Sequence, residues 1–396
     1  MAHTVSVPSP AAVDAPARTA AGSAAIPWYV WCLVLATTCS VVGGVWDISW
    51  HKSIGRDTFW TPAHILIYLC GVLAGVGAGW LILGATFGSS ASLRRASVRL
   101  WGFRGPLGAF LCAWGGVAML ASAPFDNWWH SAYGLDVKVL SPPHVVLIFG
   151  VLGVRFGALL VVLGEMNRAE GKLRARLRWL LLYLGTIMLG GTLGAFLELT
   201  SRNLLHSARF YLIVALVAPL ILVAVTRAAG GAWSGTLLGT AFTLLAALFI
   251  WILPLFPAEP KLGPVYQNVT HFIPHDFPLL IVVPAFFLDL LRRRAASWSC
   301  WRYALAAGPI FLASFAAVQW PFADFLMSPA ARNWFFGTHY FPFFIPSTHD
   351  YVRHVFTTVE PTAAIFSMVM TAAVAAAVVS TRLGLAWGDW MRRIRR

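Results

Sequence analysis

A set of carboxylate and imidazole side chains occurs twice in the first 150 residues, with nearly the same spacing. The copies are D-x3-H-x12-H and D-x3-H-x13-H, formed by Asp47, His51 and His64 and by Asp126, His130 and His144. Asp and His four residues apart lie on one face of a helix, so each pair can bind one ion. A carboxylate with two imidazoles suits iron, copper, zinc or manganese. The repeat therefore predicts two metal sites.

Other residues recur with the motif. A second aspartate follows ten residues after the first in each copy, as Asp57 and Asp136. Each of these could orient an imidazole by a hydrogen bond or cap the returning helix, and the sequence leaves both roles open. Pro62 and Pro143 precede the last histidine, where proline suits the first turn of a helix. The motif is thus predicted to join two antiparallel helices near a membrane surface.

The composition is typical of a multi-pass membrane protein. Of 396 residues, 59% are hydrophobic and 11% are charged, whereas soluble domains have about 25% charged residues. Each long apolar run has about the 20 residues that span a bilayer. The sequence predicts an all-α, polytopic transmembrane helical bundle of about ten spans arranged as five hairpins. The predicted spans are 27–47, 61–88, 101–123, 142–166, 176–199, 208–228, 235–256, 275–293, 303–324 and 361–381.

The distribution of charged residues predicts how the chain is oriented across the membrane. Twenty of the 29 basic residues lie at the termini or after even-numbered spans, and ten of the eleven histidines lie near connections after odd-numbered spans. The positive-inside rule then places both termini in the cytoplasm of a bacterial-type inner membrane, with the metal sites toward the periplasm. The net charge of +14 is explained by this topology, so nucleic acid is not expected as a partner. Lipid is.

Three regions are predicted along the chain. Residues 1–25 form a disordered cytoplasmic tail, residues 26–170 carry the duplicated hairpins, and residues 171–396 supply further hairpins with a long outer loop at 325–360. The loop is aromatic-rich and is expected to be an ordered lid. The five cysteines form no CxxC motif, so neither a disulfide framework nor a thiolate metal site is predicted.

A third pair of histidines, His271 and His275, has the four-residue spacing of a metal-binding helix face. Pro274 lies between them and disfavours a continuous helix. The pair could supply further metal ligands, but a hydrogen-bonded turn is the favoured interpretation.

The spacings resemble those of the C subunit of the copper membrane monooxygenases, the family of particulate methane and ammonia monooxygenases. Asp47, His51 and His64 match its D-x3-H-x12-H site, and His130 and His144 match its N-x3-H-x13-H site, where Asp126 replaces the family's Asn. The resemblance covers about residues 27–165. It implies copper sites that activate O2 to oxidise a small, poorly reactive molecule, and it implies partner subunits or a homo-oligomer.

The expected function is therefore a copper-dependent membrane oxidase or monooxygenase, with iron or zinc as the alternative metals. The main rival is a membrane protein that binds, delivers or transports copper or zinc without turnover. In a third interpretation, the metals only hold the hairpins together.

Overall fold

The structure, a computed structural model, describes residues 25–55, 57–134, 141–196, 200, 204–259, 269–337 and 360–395. Within these ranges the chain forms eleven α-helices and a two-stranded antiparallel hairpin, Val98–Leu100 (β1) with Phe103–Gly105 (β2). The helices are α1 (Trp28–Ser53), α2 (Pro62–Phe87), α3 (Ala91–Arg95), α4 (Leu107–Tyr133), α5 (Pro142–Arg168), α6 (Gly171–Ala195), α7 (Ala208–Ala229), α8 (Ser234–Ile252), α9 (Val282–Arg294), α10 (Cys300–Met327) and α11 (Ala363–Met391). The prediction of an all-α bundle is confirmed.

Nine of these helices are long and apolar enough to cross a membrane, and all but α3 and α9 belong to this set. A 26-residue helix such as α1 is about 39 Å long, which exceeds the hydrocarbon thickness of a bilayer. The protein is therefore a multi-pass membrane protein, and nine of the ten predicted spans are long helices.

The eighth predicted span, 275–293, is not a continuous helix. Only its second half is helical, as the 13-residue α9, because Pro274 and Pro278 cannot donate helical hydrogen bonds. The residues from 269 to 280 form no helix and contact the end of α1. There the Ser49 hydroxyl donates to the Ile273 carbonyl at 2.6 Å, and the Ile273 N–H donates to the Ser53 hydroxyl at 2.8 Å. These bonds satisfy backbone groups that the extended segment leaves unpaired.

Contacts between helix ends establish which elements meet. The Tyr29 hydroxyl, at the start of α1, donates to Glu165 near the end of α5 at 2.8 Å. The Asn167 amide, two residues further along α5, donates to the Met391 carbonyl at the end of α11 at 2.9 Å. The first and last described helices therefore have their terminal ends on the same side of the bundle. The Asp/His motifs lie at the opposite end, here called the site end.

Small residues allow the motif-bearing helices to pack closely. A Cβ added to Gly115 of α4 would lie 2.5 Å from the Gly150 carbonyl oxygen of α5, and one added to Gly116 would lie 2.9 Å from the Gly71 carbonyl oxygen of α2. Glycine at such crossings is typical of membrane helix interfaces. Because α4 touches both α2 and α5 in this way, the two hairpins form one four-helix unit. A continuous apolar core extends from this unit through α11.

Two regional predictions fall largely outside the described residues. These are the disordered tail at 1–25, of which only residue 25 is described, and most of the lid at 325–360, where residues 338–359 are not described.

Candidate metal centre

The two motif copies occupy equivalent places in their hairpins. Asp47 and His51 lie in the last two turns of α1, and His64 is the third residue of α2. Asp126 and His130 lie in the last two turns of α4, and His144 is the third residue of α5. In both copies Pro lies at the first or second residue of the returning helix, as predicted.

A glycine ends the outgoing helix in each copy. Gly55 and Gly134 each lie eight residues after the first aspartate and have φ angles of 98° and 86°. Backbone with positive φ is strongly unfavourable for side chains other than glycine. The matched glycines therefore turn the chain away from the helix at the same distance from the metal motif.

In the first site, four side chains converge. The Nε2 atom of His64 lies 2.8 Å from Oδ2 of Asp57 and 3.2 Å from Oδ1 of Asp47. The Nε2 atom of His51 lies 3.5 Å from Oδ2 of Asp57 and 3.8 Å from Oδ2 of Asp47. Among the described residues, Asp47, Asp57 and His64 form a group whose donor atoms all lie within 4.8 Å of one another.

The separations of His64 from the two aspartates fit a single ion, whereas His51, a predicted ligand, lies outside the group of mutually close donor atoms. Donor atoms about 2.1 Å from a tetrahedral metal are separated by about 3.4 Å, and the four measured separations range from 2.8 to 3.8 Å. His51 has the most exposed side chain of the four, at 49%, so it is the outermost donor. Asp57, predicted to support an imidazole or to cap a helix, lies as close to the histidines as Asp47 does. It is therefore a candidate ligand as well.

One carboxylate oxygen at each site is buried beside an imidazole nitrogen. Oδ1 of Asp47 and Oδ1 of Asp126 accept no hydrogen bond of good geometry, but they lie 3.2 Å from Nε2 of His64 and 3.5 Å from Nε2 of His144. A buried carboxylate oxygen without a well-formed hydrogen bond is costly, and a bound cation is one explanation for such an atom. Among the described residues, only the first site brings three potential ligands together, so the residues there fit a metal ion.

The second site pairs one aspartate with two histidines at comparable distances, but among the described residues these three do not form a group of mutually close donor atoms. Nε2 of His130 lies 3.4 Å from Oδ2 of Asp126, and Nε2 of His144 lies 3.5 Å from Oδ1 of Asp126. Nδ1 of His130 donates to the Gly134 carbonyl at 3.3 Å, which orients the ring with Nε2 on the side of Asp126. Asp136, the predicted supporting residue, lies outside the described residues.

One cavity of about 390 Å³ connects the two sites. Its lining includes Asp57 and His64 from the first site and Asp126 and His130 from the second. Small-molecule sites have volumes of about 300–1,000 Å³ and combine apolar walls with a few polar groups. The close crossing of α2 and α4 thus makes the two motif copies border a common space.

Asp57 lies in the connection between α1 and α2, outside the spans. Burial acts to raise the pKa of its carboxyl, but hydrogen bonds from His51 and His64 and their charges outweigh it and hold this pKa well below its usual range. Asp57 is therefore ionised at neutral pH and offers a negative charge to a cation.

Sequence reasoning did not identify the remaining cavity residues. Tyr68 lies one turn beyond His64, and its hydroxyl donates to the Phe59 carbonyl at 3.1 Å. Phe59, Tyr68 and Ala123 contribute apolar surface, and Asn127 and Ser131 contribute polar groups next to His130. The four-residue step from His64 to Tyr68 was the available signal, since it places both side chains on one helix face.

His271 and His275 have separate hydrogen-bond partners. Nε2 of His275 donates to the Val45 carbonyl of α1 at 2.9 Å, and Nδ1 of His271 lies 2.9 Å from the Thr270 hydroxyl. Neither histidine joins a group of three potential ligands among the described residues. Their hydrogen bonds agree with the favoured interpretation of this pair.

Comparison of the chain with protein-family models, with curated proteins and with solved structures finds no match.

Proposed function

We propose that this protein is a copper-dependent membrane oxidase or monooxygenase that uses O2 to oxidise a small molecule in the cavity between its two Asp/His sites. The observation that carries the proposal is the shared cavity, bordered by residues of both motif copies. A protein that only held its hairpins together by metals would not require a cavity of small-molecule size between them. The resemblance to the C subunit of copper membrane monooxygenases adds the choice of metal and reaction.

Each site would hold one metal ion with its own set of side chains. Asp47, His51, Asp57 and His64 would hold the first ion, with two carboxylate charges to balance a divalent cation. The second ion would be held by Asp126, His130 and His144. Copper bound at these sites would supply one-electron redox chemistry toward O2.

The cavity walls would position the substrate. Phe59, Tyr68 and Ala123 line one part of the cavity and would favour an apolar molecule there. Asn127 and Ser131 provide hydrogen-bonding groups beside His130. We further propose that the site end faces the periplasm of a bacterial inner membrane and that both termini are cytoplasmic. A partner subunit or a second copy would deliver the electrons.

Metal content tests the proposal first. The wild-type protein and the variants His64→Ala, His130→Ala and the double variant are purified from membranes supplied with copper, iron and zinc. His271→Ala is the matched control, because this exposed histidine lies outside both sites. We expect two copper ions per chain in the wild type and in the control, one in each single variant and none in the double variant, with matching loss of the Cu(II) EPR signal.

Oxygen uptake then separates turnover from binding. With a reductant and candidate substrates, the copper-loaded wild type should consume O2, and the double variant should not. Zinc or iron at the sites, or metal that is unaffected by the substitutions, would contradict the proposal. Stepwise copper binding without substrate-dependent oxygen uptake would favour a copper-binding or copper-delivery protein.

A further inference from the structure

The turn between α7 and α8, residues 230–233, lies at the end of the bundle opposite the Asp/His sites. Just before it, Nε of Arg227 donates to Oδ1 of Asp389 in the last turn of α11 at 2.8 Å. Gly230 and Gly231 have φ angles of 68° and 82°, a conformation that glycine adopts without strain. A Cβ at Gly231 would collide with the guanidinium of Arg178, so this side chain of α6 packs directly on the turn.

Two arginines at this turn have no carboxylate partner among the described residues. Nη2 of Arg178 donates to the Ser234 hydroxyl at 3.1 Å, and Nε of the same side chain is buried without a hydrogen bond. Arg293, in the last turn of α9, is exposed, and its guanidinium carbon lies 4.8 Å from the ring centroid of Trp233. This cation–π contact positions Arg293 without using its N–H groups. Because a guanidinium has five N–H donors, both side chains keep donors for a further acceptor.

One carboxylate lies at the same turn, and it is already engaged. Asp289 is 2% exposed and accepts hydrogen bonds from the N–H and the hydroxyl of Thr236 at 2.7 and 2.9 Å. Nη2 of Arg292 lies 3.0 Å from its Oδ1. Asp289 therefore balances the charge of Arg292. The charges of Arg178 and Arg293 are not balanced by any described residue, so the turn attracts an anion.

An exposed apolar strip continues from the turn along the outside of α8 and α9. It consists of Trp233, Leu237, Phe286 and Phe287, each at least 37% exposed. The rings of Trp233 and Phe286 are stacked with centroids 5.7 Å apart, and those of Phe286 and Phe287 are 5.6 Å apart. In a membrane protein such a strip contacts acyl chains, and tryptophan is typical of the headgroup level. Unbalanced positive charge thus lies directly beside lipid-facing apolar surface.

We propose that this surface, formed by Arg178, Arg293, Trp233 and Phe286, binds one anionic phospholipid. The phosphodiester accepts hydrogen bonds from the two guanidinium groups, whose planar arrangement of donors suits phosphate. The acyl chains lie along the aromatic rings. A lipid is favoured over a free phosphate ion, because only a lipid also covers the apolar strip. Basic pockets between transmembrane helices are typical binding sites for anionic lipid headgroups.

Lipid titration followed by native mass spectrometry tests this surface. The full-length protein is purified in detergent, depleted of lipid and titrated with phosphatidylglycerol or with phosphatidylcholine of the same acyl chains. Arg293→Gln and Arg178→Gln are compared with the wild type. Arg294→Gln is the matched control, because it removes the same charge from the next residue, which is exposed. Arg293→Gln remains informative if Arg178→Gln fails to fold, since Arg293 is exposed and its described contact is with one ring.

We expect the wild type and Arg294→Gln to bind one phosphatidylglycerol per chain, about tenfold more tightly than phosphatidylcholine. Arg293→Gln and Arg178→Gln should each bind it about tenfold more weakly, because each loses a charge-assisted hydrogen bond to the phosphate. Equal binding of the two lipids by the wild type would overturn the proposal. So would equal weakening in Arg293→Gln and Arg294→Gln, because this would show only a general attraction between cations and anionic lipid.

Inorganic phosphate distinguishes a lipid site from a phosphate site. Added in equal concentration, it should leave phosphatidylglycerol bound, because it makes no contact with the apolar strip. Displacement of the lipid by inorganic phosphate would refute the assignment to a phospholipid. Since the surface lies at the opposite end of the bundle from the Asp/His sites, these results do not depend on whether the protein binds copper.

Discussion

Replacing Asp57 with Asn removes one negative charge from the first site and keeps the size of the side chain. In the structure, Oδ2 of Asp57 lies 2.8 Å from Nε2 of His64 and 3.5 Å from Nε2 of His51. An ion bound to both imidazoles would therefore also contact this oxygen. We expect Asp57→Asn to weaken metal binding at the first site more than 100-fold, while the second site keeps its ion.

The size of the effect distinguishes a ligand from a supporting residue. Substitution of a residue that only orients a ligand costs about 10–100-fold in affinity, or about 1.4–2.7 kcal/mol. A metal at 100 times its dissociation constant stabilises a protein by about 2.7 kcal/mol. Loss of a ligand should remove nearly all of this stabilisation. In Asp57→Asn, removal of metal from the first site by a chelator should therefore no longer lower the melting temperature.

The assay is competitive metal titration with thermal unfolding in detergent, with and without chelator. Glu170→Gln is the matched control, because it removes one charge at an exposed position in the connection between α5 and α6. A loss of only 10–100-fold would assign Asp57 the supporting role that the sequence allowed. Unchanged affinity in Asp57→Asn, combined with complete loss in His51→Ala, would refute the four-donor site.

Acidification of the metal-free protein gives a second readout for Asp57. Its pKa is lowered by His51 and His64, so this carboxylate stabilises the fold at pH values above the unfolded pKa of about 3.9. The stabilisation is lost as the pH falls from there through the lower pKa of the folded state. The difference in melting temperature between the wild type and Asp57→Asn should therefore be present at pH 7 and disappear in strong acid. A difference that does not change with pH would contradict this reasoning.

Three further substitutions and one control, Gly79→Ala, test the packing and hydrogen bonds of the helices. Gly115→Ala places a Cβ 2.5 Å from a carbonyl oxygen of α5 and should cost about 1–3 kcal/mol and weaken metal binding at the second site. Gly79→Ala has no atom within 4 Å of its Cβ and should be neutral or stabilising; equal melting temperatures for the two variants would argue against close packing of α4 and α5. Tyr68→Phe removes the hydrogen bond to the Phe59 carbonyl and should cost about 1 kcal/mol with both metals retained, so metal loss would show that the hydroxyl binds an ion. Asp289→Asn weakens the buried contacts of its carboxylate with the start of α8 and should lower the unfolding free energy by about 1.5–3 kcal/mol, as measured by urea or thermal unfolding.

The long helices could be predicted from apolar run length alone, since a segment in hydrocarbon must satisfy its backbone internally. The eighth span shows the limit of this reasoning. Residues 275–293 are apolar enough to suggest a span, but Pro274 and Pro278 prevent a continuous helix, and the extended half is bound by Ser49 and Ser53 of α1. Which serine hydroxyls form hydrogen bonds with that backbone depends on tertiary packing, so residue spacing in the sequence does not predict it.

By itself, the sequence determined the membrane class of the protein, the repeated Asp/His motif and its place at equivalent helix ends, because residue spacing and apolar length act locally. The tertiary structure decided that the two motif copies border one cavity, since this depends on the glycine contact between α2 and α4. It also brought Oδ2 of Asp57 within 3.5 Å of Nε2 in two histidines. The contact between α2 and α4 joins residues distant in the chain, and only the packing of whole helices places such residues next to each other.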